Sequence, residues 1–225
     1  FRTDKRIIIM IKKKYHIIGL VCVVFLFVGT IFIRSDEFGK PMGGKHEWIT
    51  AHTLITLDIW DKHGGPSAHG FNPVYSYPET VNFRRRGLGG LTDEDGLHYY
   101  TSYPPFAFIF GYYGTQLMGG PSVKNIRILN YLIHFACGLL LFFIFYELSR
   151  NKEQFNLTGV LAAFIYFYSS GNLWYHGFLF FSDMLEQLTV LLCIYLIIRL
   201  WKENFKRPWL FYTILFVSFF LSVYT

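Results

Sequence analysis

Long apolar stretches recur along this chain, at Tyr15–Ile33, Ile128–Leu148, Leu157–Ser170, Phe178–Leu200 and from Trp209 onward. About 19 such residues in a helix reach across the hydrocarbon core of a bilayer. The repetition therefore predicts an all-α fold, a polytopic membrane helix bundle. The composition agrees: 52% of residues are hydrophobic and 20% aromatic, with a mean hydropathy of +0.31, beyond what a soluble domain usually carries. A net charge of +6 would suit nucleic acid, but the basic residues collect beside apolar runs rather than along a polar stripe, which points to membrane lipids and no nucleic acid. Cys22, Cys137 and Cys193 fall inside apolar runs and lack metal-ligand spacing.

The termini read as those of a fragment. Met10 opens Met-Ile-Lys-Lys-Lys like a genuine start, and Leu210–Thr225 ends within an apolar run. Residues 1–14 form a basic cytoplasmic segment, 15–33 an uncleaved signal anchor, 34–126 an outer-face segment and 127–225 an incomplete bundle. Pro104–Met118 is apolar but short, starts with Pro-Pro and contains Gly111 and Gly114. Charge placement predicts that it lies along the outer interface. Arg150, Lys152, Lys202, Lys206 and Arg207 then face the cytoplasm, while Gly171–Gly177, which carries no Lys or Arg, lies outside.

Within the outer segment, Glu47–Lys62 has helical periodicity. Trp48, Ala51, Ile55 and Ile59 form an apolar stripe and Thr50, Thr53 and Thr56 another face, as in a helix lying on a membrane surface. Gly64–Gly96 is rich in Gly and Pro and reads as a loop over it.

Several residues could carry chemistry. His46-Glu47 opens the surface helix, where a carboxylate is favoured by the helix N-terminus; an exposed helix-start acid is the plainer reading. His52 follows too late for the HExxH zinc motif. Asp183 and Glu186 share one helical face inside an otherwise apolar run, and ionisable groups within lipid usually face a polar site; both could instead sit at a water-exposed helix end, with the span starting after Glu186. Arg84, Arg85, Arg86, Lys45 and Lys62 are candidate phosphate contacts, with lipid headgroups or solvent as alternatives. Asp93-Glu94-Asp95 could bind a divalent cation or simply be solvated. Tyr75, Tyr77, Tyr99, Tyr100 and Tyr103 suit an aromatic belt or sugar stacking.

In order, these features resemble the family 39 glycosyltransferases and their relatives, which include protein O-mannosyltransferases and lipid A aminoarabinose transferases and share the C-type glycosyltransferase membrane fold. His46-Glu47-Trp48 through Leu57-Asp58-Ile59-Trp60 is similar to the family's acidic pair and surface helix. Tyr99-Tyr100-Thr101-Ser102-Tyr103-Pro104-Pro105 looks like its aromatic stretch ending in Lys-Pro-Pro. Arg127-Ile128-Leu129 matches an Arg-Leu pair, and Ser182-Asp183 a Thr-Asp pair. Two positions depart: His46 replaces the leading acid, and Tyr103 the lysine. Asp36-Glu37 is an intact acidic pair, but it sits too near the first span and lacks the helix behind it.

The resemblance implies transfer of a sugar from a polyprenyl-phosphate donor to a lipid, glycan or protein acceptor, on the outer face of a bacterial inner membrane. Glu47 would then act as base or metal ligand with His46 assisting, and Asp183 would orient the acceptor or complete a metal site. Lys45, Arg84, Arg85, Arg86 and Tyr103 would contact substrate, and a divalent metal ion is the implied cofactor. A transporter or flippase using Asp183 as a proton relay, and a non-enzymatic assembly protein, are the competing classes.

Overall fold

A computed structural model describes residues 2–42, 47–74, 91–92, 96–100, 104–149, 156–173, 180, 182–202 and 208–223. The protein is mostly helical. The helices are α1 (Arg2–Arg34), α2 (Trp48–Lys62), α3 (Phe106–Gln116), α4 (Val123–Leu148), α5 (Leu157–Tyr168), α6 (Ser182–Lys202) and α7 (Pro208–Val223). Among the described residues, three helical stretches are long and apolar enough to cross a membrane: Tyr15–Arg34, Val123–Leu148 and Asp183–Lys202. The third apolar run gives a shorter helix than Leu157–Ser170 implies. α5 spans 12 residues, about 18 Å, and breaks at Ser169, whose backbone is extended (φ −63°, ψ 137°). One further helical turn covers residues 170–173, and the Ser169 hydroxyl accepts a hydrogen bond from the Asn172 N–H at its start.

α4 is the central helix, with Ile126, Leu129, Ile133, Cys137, Phe142 and Ile144 buried along it. Ring contacts give the direction of its neighbours. His16 of α1 packs on Tyr146 (4.5 Å) and Phe27 on Phe135 (4.7 Å), so α1 and α4 are antiparallel. The Asn156 amide, at the start of α5, donates to the Phe142 carbonyl (3.3 Å), and Tyr166 stacks on His134 (5.0 Å), so α5 is antiparallel to α4 as well. Phe143 meets Tyr195 and Glu147 meets Arg199, which makes α6 parallel to α4. Two ends result. The near end holds the start of the α1 span, Glu147 and Arg199. The far end holds the C-terminus of α1 and the starts of α4 and α6.

α2 and α3 gather at the far end. Gly111 of α3 faces Ile126 and Phe180, and Gly114 faces Leu129, within the first two turns of α4. The absence of a Cβ lets the two backbones approach. A two-residue antiparallel pair, β1 (Leu91–Thr92) with β2 (His98–Tyr99), and a bridge from Val74 to Tyr99 cover α2. The packed face of α2 takes in the threonine face and only part of the Trp48 stripe. Thr50, Thr53 and Thr56 are buried together with Leu57, Ile59 and Trp60, while Trp48 is 61% exposed. The threonines tolerate burial because their hydroxyls find partners. Thr56 Oγ1 donates to the Val74 carbonyl (2.6 Å), Thr53 Oγ1 donates to the Ile49 carbonyl, and Thr50 Oγ1 accepts from the Phe180 N–H (3.0 Å).

Candidate functional site

The site grows from the start of α4. Ser122 caps that helix by accepting from the Asn125 N–H (3.1 Å), and the first turn then turns Arg127 inward. Arg127 is 2% exposed. Its Nη2 donates to Glu47 Oε1 (3.0 Å), and its Nη1 donates to the carbonyls of Lys40 (2.7 Å) and Phe38 (3.3 Å). Glu47 is the N-cap of α2, in helical conformation (φ −64°, ψ −11°), with its side chain directed to Arg127 rather than to its own helix. It is 4% exposed, so the reading of a solvated helix-start acid does not hold. Two positive influences fall on its carboxylate, the guanidinium and the N-terminus of α2. Breaking such a buried pair typically costs about 3–5 kcal/mol.

Three residues into α2, Thr50 holds the backbone of Phe180, whose ring lies beside Gly111 of α3. Phe180 precedes the first turn of α6, where Asp183 is exposed, and Glu186 is exposed one turn later. Glu47, Arg127, Thr50 and the Asp183 helix start therefore converge on the far end of the bundle. Asp183 and Glu186 lie on the surface of the first two turns of α6, within the stretch Asp183–Lys202 that is long and apolar enough to cross a membrane.

Lys45, His46, Arg84, Arg85, Arg86, Tyr103, Tyr75, Tyr77 and Asp93-Glu94-Asp95 lie outside the described residues. Lys62 pairs with Asp58 on the exposed side of α2 (2.8 Å). Tyr99 meets His69 Nδ1 through its hydroxyl (3.2 Å), and the Tyr100 ring packs edge-on against His52 (5.2 Å, 87°). Both tyrosines thus brace the segment over α2. Burial pushes the His52 imidazole down to about 4, which keeps it neutral at physiological pH. Asp36 of the competing acidic pair is exposed.

Among the described residues no group of three or more His, Cys, Asp or Glu could hold a metal ion. A dication on Glu47 would share its ligand with a guanidinium 3.0 Å away. Like charges repel, so these residues fit an ion pair better than a metal centre.

Sequence reasoning used Arg127 only as the opening of a span and missed it as the hub of the far end. It also missed a polar seam in the bundle. His134, 1% exposed on α4, stacks on Tyr166 of α5, and the Tyr166 hydroxyl donates to Gln187 Oε1 of α6 (3.0 Å). Isolated polar residues inside apolar runs were the signal available for it. At the near end, Glu147 is 5% exposed and pairs with Arg199 (3.0 Å) and Lys202 (3.8 Å).

Comparisons with protein-family models, with curated proteins and with solved structures return no match. What stands is a mostly helical chain in which, among the described residues, three helices are long and apolar enough to cross a membrane, and a buried ion pair shares one end with the acidic start of α6.

Proposed function

We propose that the protein is a membrane glycosyltransferase with the C-type fold, moving a sugar from a polyprenyl-phosphate donor to a lipid, glycan or protein acceptor. On this reading the far end faces the periplasm. The observation that carries it is the convergence of the Glu47–Arg127 pair with the Asp183 helix start, joined through Thr50 and Phe180. Transfer of a sugar from a phosphate needs a carboxylate to take or steer the acceptor proton and cationic groups to steady the departing phosphate. On this reading the Glu47 carboxylate, the Arg127 guanidinium and the Asp183 carboxylate would supply that chemistry, with the far end at the level of the lipid headgroups. Lys45, His46, Arg84, Arg85, Arg86 and Tyr103 complete the substrate contacts in the proposal.

The test separates chemistry from folding. Glu47→Gln strips the counter-charge from a buried guanidinium, so its loss of activity is ambiguous alone. Exchanging the two residues, Glu47→Arg with Arg127→Glu, restores an ion pair but moves the carboxylate to α4. In membranes carrying the complete protein, the exchanged variant regains opposite charges but not the bonds to the Phe38 and Lys40 carbonyls, so its unfolding temperature is expected to recover only part of the loss seen in Glu47→Arg alone, and transfer from a polyprenyl-phosphate sugar not at all. Asp183→Asn, at an exposed position, is expected to slow transfer without altering unfolding. Wild-type rates in both variants, or no transfer by the wild type from any such donor, would sink the proposal.

One observation favours a transporter instead. The His134–Tyr166–Gln187 seam joins three helices inside the bundle, and α5 is interrupted at Ser169; buried polar groups and broken helices mark transport paths. Loss of substrate flux in His134→Gln with no transferase activity in the wild type would select that reading.

A further inference from the structure

The end of α2 and the last turns of α3 bring together a second group of polar and aromatic side chains, away from the Glu47–Arg127 pair. α2 ends at Lys62, and the chain reverses through Gly64 and Gly65, both at positive φ (89° and 83°) that residues with a Cβ rarely adopt. That reversal lays the Gly65 backbone beside Tyr112 of α3, with a Cβ built at Gly65 standing 3.8 Å from the Tyr112 hydroxyl. Asp61 Oδ1 accepts a hydrogen bond from Gln116 Nε2, across 55 residues of sequence. Tyr112 and Tyr113 stand almost perpendicular (75°) with ring centroids 5.3 Å apart, and Tyr113 is 56% exposed. Trp60, fully buried, lies edge-on to Tyr112 at 6.0 Å.

Among the described residues this group has hydrogen-bonding capacity that no protein partner takes up: exposed Asp61 pairs through one carboxylate oxygen, and Gln116 through its NH2 but not its carbonyl. The Tyr112 hydroxyl makes no hydrogen bond among the described residues. The Trp60 indole N–H, buried and without a partner among the described residues, should by ordinary accounting have one. Burial, and then the Asp61 carboxylate, raise the Tyr112 hydroxyl above the ordinary phenol range, so it remains a donor.

A carboxylate and a carboxamide side by side match the adjacent hydroxyls of a pyranose, each of which donates and accepts. The exposed ring of Tyr113 offers an aromatic surface for the C–H face of the same sugar. A lone phosphate would be repelled by Asp61, and an apolar ligand would leave Asp61 and Gln116 desolvated without compensation. We propose that Asp61, Gln116, Tyr112 and Tyr113 form a saccharide subsite that takes a neutral pyranose. Combined with the transferase reading, on which this assignment of role rests, the subsite selects a glycan-bearing acceptor. Saccharide binding itself does not depend on that reading.

The experiment measures binding of methyl gluco-, manno- and galactopyranosides to the complete protein in lipid nanodiscs, by saturation-transfer NMR titration. Two variants report on the subsite. Asp61→Asn keeps an acceptor for Gln116 and so the contact between α2 and α3, while Tyr113→Ala removes an exposed ring. At least one pyranoside is expected to bind the wild type saturably. Each variant should bind it about tenfold more weakly, the effect of losing one charged or stacking contact, at an unchanged unfolding temperature. No saturable binding of any of the three, or binding by both variants as tight as by the wild type, overturns the inference. Variant-sensitive binding without transfer from a polyprenyl-phosphate sugar leaves the subsite standing and removes the transferase. Transfer with an unchanged acceptor KM and unchanged pyranoside binding in both variants removes the subsite and leaves the transferase.

Discussion

Arg127 joins three pieces of chain with three hydrogen bonds: the carbonyls of Phe38 and Lys40 just beyond α1, and the carboxylate that opens α2. The position of Glu47 at a helix start was legible in the sequence, because Trp48 to Lys62 has helical periodicity with a charged residue ahead of it. Its partner was not, because local spacing carries no information about a residue 80 positions away. His52 gives the residue-scale prediction. Burial holds its imidazole at about 4 in the folded protein against an ordinary 6.5, so between those values the unfolded chain binds more protons. Stability is therefore expected to be full above about pH 6.5, to fall as pH drops towards 4, and to level off below that. Unfolding temperatures at pH 7, 5.5 and 4.5 check it, and His52→Phe should flatten the slope.

At the scale of elements, the apolar runs predicted α1, α4 and α6 well because length and hydropathy alone define a membrane-spanning helix. Two features resisted the same reasoning. The threonine face of α2 looks polar in sequence, yet each hydroxyl finds a backbone partner and the face is buried. The glycines of α3 look like helix weakeners, yet Gly111 and Gly114 are contact points for the side chains of α4. Both depend on tertiary neighbours that periodicity does not contain. The same logic applies to Gly138 of α4, where an added Cβ would collide with the buried ring of Phe167 on α5. Gly138→Ala is expected to cost about 1–3 kcal/mol through overpacking, seen as a lower unfolding temperature in detergent. Gly171→Ala, with open space around it, should leave that temperature unchanged.

Across the whole molecule, helix directions place Asn172 at the far end and Ser149 at the near end. Single cysteines at these positions, in a background lacking Cys22, Cys137 and Cys193, should differ in labelling by an impermeant thiol reagent. Asn172→Cys is expected to react in intact cells, and Ser149→Cys only after the membrane is opened. The reverse pattern would invert the proposed orientation. The Arg127 hub also sets a schedule for synthesis. The chain leaves the ribosome from its N-terminus, so α1 and the residues of α2 emerge well before the guanidinium that ties them together. At roughly 5–20 residues per second, the 80-residue gap leaves Glu47 without that counter-charge for about 4–16 s in each nascent chain. The tie between α2 and the segment beyond α1 thus closes only once the start of α4 has been made, and the near-end pair of Glu147 with Arg199 closes later still.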